Sequence, residues 1–90
     1  MASRPPPRDG HAELGPTLAA LLDPEPGRRA EALGRLKSLY VRCDEGSCST
    51  NPEIAAAALP YALRALTSAD AGVRVTGADA LGLLAFNSKN

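Results

Sequence analysis

Three side chains in this sequence could take part in thiol or metal chemistry: His11, Cys43 and Cys48. The cysteines occur as Cys-Asp-Glu-Gly-Ser-Cys, a spacing that suits either a disulfide or two ligands of a metal site. Two thiolates cannot complete a tetrahedral zinc site alone, and the only histidine is far away in sequence. Because an intracellular chain keeps its thiols reduced, we expect two free loop thiols, with a zinc or redox module as the alternative.

No other group of side chains forms a pattern typical of catalysis. The serines are scattered, and the acids are spaced as helix caps and surface pairs, so we expect no enzyme activity, no metal and no cofactor. Ten basic residues balance ten acidic ones, which leaves no net field to attract nucleic acid or an anionic membrane. Residues 1–10 lack the apolar stretch of a secretory signal, so the expected location is the cytoplasm or the nucleus.

The first half of the chain predicts a tail followed by two helices. Residues 1–11 contain three successive prolines and are expected to be disordered. Leucines at intervals of four, three and one predict a first helix, whose regular part begins near Gly15 so that Pro16 lies in its first turn. A second amphipathic helix is predicted from about Pro26 to Arg42, followed by a loop rich in Gly, Ser and Thr.

The second half predicts three short helices. Residues 51–53, Asn-Pro-Glu, combine a side-chain cap, a first-turn proline and an acid, and predict a helix that ends near Ala58. Pro60 is expected to interrupt it, because a proline ring clashes with the carbonyl four residues earlier. A fourth helix is predicted to end near Thr67, and residues 67–70, Thr-Ser-Ala-Asp, offer caps for a fifth.

Two segments of the chain nearly repeat each other. Residues 30–36 and 78–84 are identical at five of seven positions, and Leu33 and Leu81 stand 48 residues apart (81 minus 33). A spacing of this size is typical of stacked helical units. The first segment contains Gly34 and the second contains Gly82, and we therefore expect a close helix crossing at both glycines.

With a unit of this length, the chain resembles the armadillo (ARM/HEAT-like) repeat family, most closely over residues 51–90. The resemblance is carried by an Ala-Leu-Pro corner at residues 58–60, a Ser-Ala-Asp turn at 68–70, and Ala-Leu and Leu-Ala pairs within 80–85. The first copy, residues 12–43, matches more loosely. The resemblance implies an all-α fold, a short right-handed α-solenoid of about two armadillo-like repeats.

The resemblance also implies protein binding along the concave face of the solenoid. In the nuclear-import branch of the family, a Trp and an Asn four residues later hold an extended peptide. The corresponding positions here are Asp79 and Leu83, and in the first copy Glu31 and Arg35. Since none of them is Trp or Asn, an import receptor is not implied. The four residues are candidates for protein binding, and the alternative is solubilising side chains plus one packed leucine.

The expected organisation has four parts: a disordered Pro-rich tail at 1–11, a first partial repeat at 12–43, a loop at 44–50, and a second repeat at 51–90. A solenoid normally needs about three repeats, so we expect a fragment or the start of a longer solenoid. The predicted function is a non-catalytic protein-interaction module for a protein or extended peptide. The alternative is a capping segment of a larger solenoid or oligomer, and the uncapped C-terminal helix is a candidate surface for self-association.

Overall fold

The computed structural model describes the backbone of residues 9–85 and the side chains of residues 14–85. Within that part of the chain, four helices and one two-stranded antiparallel sheet occur in the order α1 (Asp9–Ala20), α2 (Pro26–Tyr40), β1 (Val41–Asp44), β2 (Ser47–Thr50), α3 (Pro52–Leu66) and α4 (Ala71–Leu84). The mainly helical class agrees with the prediction, and the small sheet was not predicted.

Two helix starts are formed by the side chains that the sequence indicated. The Asn51 carbonyl oxygen Oδ1 accepts hydrogen bonds from the backbone N–H groups of Glu53 and Ile54, at 2.9 and 3.4 Å. The Asp70 carboxylate does the same for Gly72 and Val73, at 2.8 and 3.3 Å. The first amides of a helix lack partners within the helix, so these caps determine where α3 and α4 begin.

Both internal prolines lie within helices, which corrects two predictions. Pro60 does not divide the segment, and α3 runs without a break from Pro52 to Leu66. Pro60 and Ala56, whose carbonyl loses its partner, are both exposed, so water can bond that carbonyl. Pro16 likewise lies inside α1, which begins at Asp9 rather than near residue 15.

The beginning and the end of the sequence bear on two further expectations. Residues 9–11, which the sequence analysis assigned to the tail, belong to α1. The rest of that predicted tail, residues 1–8, and the Asn-rich end at 87–90 lie outside the described residues.

Residues 41–50 form a β-hairpin, where a loop over 44–50 was expected. Its register pairs Cys43 with Cys48 and leaves a two-residue turn, Glu45 and Gly46, with φ of 48° and 86°. Two successive positive φ values are typical of the type I′ turn, whose twist matches that of the flanking strands. Cys43 and Cys48 form a disulfide, so the expectation of two free thiols is wrong. The hairpin places these residues opposite each other, which a loop would not do.

The main buried cluster is formed mostly by aliphatic side chains from the first three helices and the residue after α1, and Val73 and Ala80 of α4 are buried as well. Leu21, which follows α1, and Leu36 of α2 are completely buried. They form one cluster with the other buried members Leu18, Ala32, Tyr40, Ile54 and Ala58. With few aromatic residues in the chain, burial depends on small side chains and closely spaced helices, as the composition indicated.

The closest helix approach is between α3 and α4 at Gly77. An ideal Cβ built on Gly77 would lie 2.5 Å from the backbone nitrogen of Leu66 and 2.9 Å from the carbonyl oxygen of Ala62. At Gly34 and Gly82, by contrast, an added Cβ would meet nothing within 4 Å. The predicted close crossings at these two glycines are therefore wrong, because both glycines are exposed and the helix contact lies elsewhere.

We predict opposite effects of alanine at two of the three glycines of α4, Gly77 and Gly82. Gly77→Ala should lower the free energy of unfolding by more than about 2 kcal/mol, since the new methyl group meets backbone atoms that cannot turn aside. Gly82→Ala should raise it by up to about 1 kcal/mol, because alanine has the higher helix propensity and the site is open. Urea unfolding followed by circular dichroism measures both values. Equal effects of the two substitutions would contradict the close contact at Gly77.

Candidate functional site

An open groove lies between α1 and α2 and has a volume of about 370 Å³. Its apolar and small lining residues come from both helices, and charged side chains of α2 stand along one side. The lining residues are Pro16, Thr17, Ala20, Arg28, Glu31, Ala32 and Arg35. The volume lies within the range of small ligand pockets, and the open shape suits a segment of polypeptide that lies along the helices.

Two of the four predicted site residues line this groove. Arg35 and Glu31 are one turn apart on α2, and their side chains form an ion pair with a distance of 3.6 Å from Nη2 to Oε2. Both are more than half exposed, so solvent screens the pair and it adds little to stability. The ion pair places one positive and one negative charge at the edge of the groove's apolar floor, and this arrangement suits recognition of a ligand.

The other two predicted residues, Asp79 and Leu83, lie on α4 and do not line the groove. Asp79 is exposed, whereas Leu83 is half-buried and packs against the core cluster. The structure therefore brings Glu31 and Arg35 together in one groove without the α4 pair. For Leu83, the contact with the core agrees with the alternative of a packed leucine.

The α1 side of the groove was not anticipated from the sequence. Pro16 and Ala20 are spaced four residues apart, which places them on the same face of a helix, and Thr17 lies next to them. Small residues at this spacing are a weak signal. They line a groove here only because α2 packs beside this face, and that neighbour is determined by tertiary contacts.

The described residues also bear on metal sites and on membrane-spanning helices. Among the described side chains, those of residues 14–85, no cluster of three or more His, Cys, Asp or Glu is placed to hold a metal ion. None of the helices in the described part of the chain has the length and apolar character needed to cross a membrane.

No family model matches this chain, and comparison with curated proteins and with solved structures gives no significant match. The armadillo resemblance therefore stays a prediction from the residue pattern.

A buried cation, Arg29, holds the N-terminal part of α2 against its surroundings. Its side chain is embedded, with 7% exposed, and Nη1 donates to the backbone carbonyls of Asp23 and Pro24 at 2.8 and 3.0 Å. Its Nε donates to the hydroxyl oxygen of Thr76 on α4 at 3.0 Å. One guanidinium thus joins the α1–α2 turn, α2 and α4.

We predict that Thr76→Val lowers the free energy of unfolding by about 1–3 kcal/mol, because the buried guanidinium loses an acceptor while shape is kept. Arg29→Met should also destabilise. The double variant should be less destabilised than the sum of the two single variants, since the shared bond is counted twice in that sum. Urea denaturation of all four proteins gives the coupling energy.

Thr67→Val is the control for this cycle, because Thr67 is exposed and its hydroxyl donates to the Leu63 and Arg64 carbonyls of α3 rather than bonding Arg29. Its effect should stay within about 0.5 kcal/mol. Strict additivity of Arg29→Met and Thr76→Val would show that their hydrogen bond contributes nothing to stability.

Proposed function

We propose that this chain is a non-catalytic protein-interaction module of the armadillo type, which holds an extended peptide segment in the groove between α1 and α2. The observation that carries the proposal is the groove itself, with its small apolar floor and its rim of Arg28, Glu31 and Arg35. A floor of this kind accepts an apolar side chain, and the rim orients the peptide by charge.

The arrangement of α2 and α4 supports the repeat part of the proposal. Arg29, near the start of α2, donates to Thr76 in the first half of α4, and the hydroxyl of Tyr40 donates to the Leu84 carbonyl at the ends of both helices at 3.0 Å. The two helices are therefore parallel neighbours. The paired residues are 47 and 44 positions apart, close to the 48-residue spacing of the repeated segments. Parallel stacking of equivalent helices is what a solenoid of two units requires.

The charges on the rim favour a particular peptide chemistry. Two arginines and one glutamate face the groove, and the floor between them is formed by Ala20, Ala32 and Thr17. We infer a ligand with a small or branched apolar anchor followed by an acidic residue. The acidic side chain lies on the arginine side of the rim, where it gains the attraction of two cations.

A peptide library selected against the full-length chain tests this function. Selected peptides should share the apolar-acidic pattern, and exchanging the rim charges by Glu31→Arg with Arg35→Glu should weaken their binding about five- to tenfold in fluorescence polarisation. The exchange keeps the net charge and reverses only the order of the pair. Failure to select peptides, or equal affinity after the exchange, would remove the proposed groove function.

Two control variants locate the effect. Lys37→Glu with Glu53→Lys also preserves the net charge, and both residues are exposed and outside the groove lining, so affinity should not change. Asp79→Lys tests the α4 position that the resemblance singled out. Affinity unchanged by Asp79→Lys supports the α1–α2 groove, whereas a loss there would transfer the binding face to α4.

A second candidate function, a capping or assembly segment, is favoured by the surface of α3. Leu59, Leu63 and Leu66 are 43%, 47% and 37% exposed, and their spacing of four and three residues places them along one side of the helix. On α4, Val75 is 61% exposed. Exposed apolar rows of this kind are typical of surfaces that another protein element covers.

Sedimentation velocity over a range of concentrations tests the assembly function. If α3 mediates assembly, the sedimentation coefficient of the wild type should rise with concentration, and Leu63→Lys should abolish the rise. Val75→Lys tests the other surface, on α4: the rise should persist in this variant if α3 mediates assembly, and it should be lost if α4 does. A wild-type coefficient that is independent of concentration would argue against both surfaces as sites of self-assembly.

A further inference from the structure

The hairpin of residues 41–50 places two sulfur atoms where exchange with a thiol from solution is favoured. Asn51 donates its backbone N–H to the Tyr40 carbonyl at 2.9 Å, which extends the hairpin ladder by one pair. Hydrogen-bonded and non-hydrogen-bonded pairs alternate along an antiparallel ladder. Counting inward, Cys43 and Cys48 occupy a non-hydrogen-bonded pair, the type in which side chains come closest. Their Cα atoms are 3.9 Å apart.

Both cysteines and the residues between them are exposed to solvent. A thiolate must approach one sulfur along the axis of the disulfide bond, and a buried bond would prevent that. Exposed disulfides are the ones that exchange readily and serve regulatory roles, whereas buried structural ones resist reduction. The exposure of both cysteines therefore favours a reversible disulfide over a permanent structural one.

We propose that Cys43 and Cys48 form a reversible dithiol–disulfide site that exchanges with a low-molecular-weight thiol such as glutathione, with the helices folded in both states. The helices do not require the bond, because their contacts are made by the core cluster and by the Arg29 and Tyr40 hydrogen bonds. The oxidised state fixes the hairpin between α2 and α3, and the reduced state presents two adjacent thiols.

The exchange is balanced in atoms and electrons. The thiolate of the small thiol attacks one sulfur, forms a mixed disulfide with it and releases the other cysteine as a thiolate, which takes up a proton. A second small thiolate attacks the sulfur that the first small thiol contributed to the mixed disulfide. This step forms a small-molecule disulfide and releases the remaining cysteine as a thiolate, which takes up a proton. In sum, the protein disulfide and two thiols give the protein dithiol and one small disulfide, and the reverse reaction oxidises the pair.

The turn should control this equilibrium. An isolated two-stranded hairpin is only marginally stable, so the fraction of reduced chains with the two thiols opposite each other depends on the turn residues. Asn-Gly is the preferred pair for a type I′ turn, and Glu45→Asn should strengthen it. Gly46→Val should weaken it, since a β-branched residue at a φ of 86° is strained while the surrounding space is open.

The test equilibrates the full chain over a series of glutathione and glutathione-disulfide mixtures, followed by acid quenching, alkylation and intact mass measurement. We expect one transition between dithiol and intramolecular disulfide, with equal helical circular dichroism on both sides. Relative to wild type, Gly46→Val should require a mixture at least about fivefold more oxidising. Glu45→Asn should shift the midpoint in the opposite direction.

Other outcomes would overturn the proposal. Mixed disulfides or linked dimers as the main oxidised species would show that the hairpin does not bring the two thiols together. Loss of helix on reduction would make the bond a structural one, and identical midpoints for the three proteins would remove the role of the turn. The Cys43→Ser variant should take up one glutathione at Cys48, and failure to do so would contradict the accessibility of the site.

Discussion

The buried guanidinium of Arg29 is the interaction on which the arrangement of the helices depends. Burying a cation is costly unless each donor finds an acceptor, so the carbonyls of Asp23 and Pro24 and the hydroxyl of Thr76 must be positioned around it. This requirement places the α1–α2 turn and α4 against the same helix. Since α2 is held on one side by α4, its other side remains for α1, and the groove lies along that contact.

The helix caps of α3 and α4 were predictable from the sequence, and the contacts between elements were not. Asn51 and Asp70 act within three residues of themselves, so their caps follow from sequence alone. The effect of Pro60 depends on whether the freed carbonyl meets water, and that depends on which face of α3 is packed. For the same reason, the sequence could not show that the close helix contact lies at Gly77 rather than at Gly82. Both are helical glycines, and only the position of the neighbouring helix distinguishes them.

The candidate site likewise contains some residues whose placement was predictable from the sequence and others whose placement was not. Glu31 and Arg35 could be paired from their spacing, and the structure places them on the rim of the groove. Leu83 is half-buried and packs against the core cluster, and no spacing rule shows that contact in advance. The sequence did contain a signal for the hairpin, namely two cysteines at equal distances on either side of Glu-Gly. That symmetry indicates a two-residue turn more strongly than the loop composition of the segment indicates a loop.

Because the Asn51 N–H donates to the Tyr40 carbonyl, the ten residues between them (50 minus 41, plus one) bring the chain back to the C-terminal end of α2. In terms of chain topology, α3 starts where α2 ends, and the hairpin is a side branch. Its length is therefore uncoupled from the positions of the helices, because adding or removing strand pairs beyond residues 41 and 50 moves neither end. Chains that differ in length only at this branch would superpose on their helices, and an alignment should place such gaps at Glu45 and Gly46.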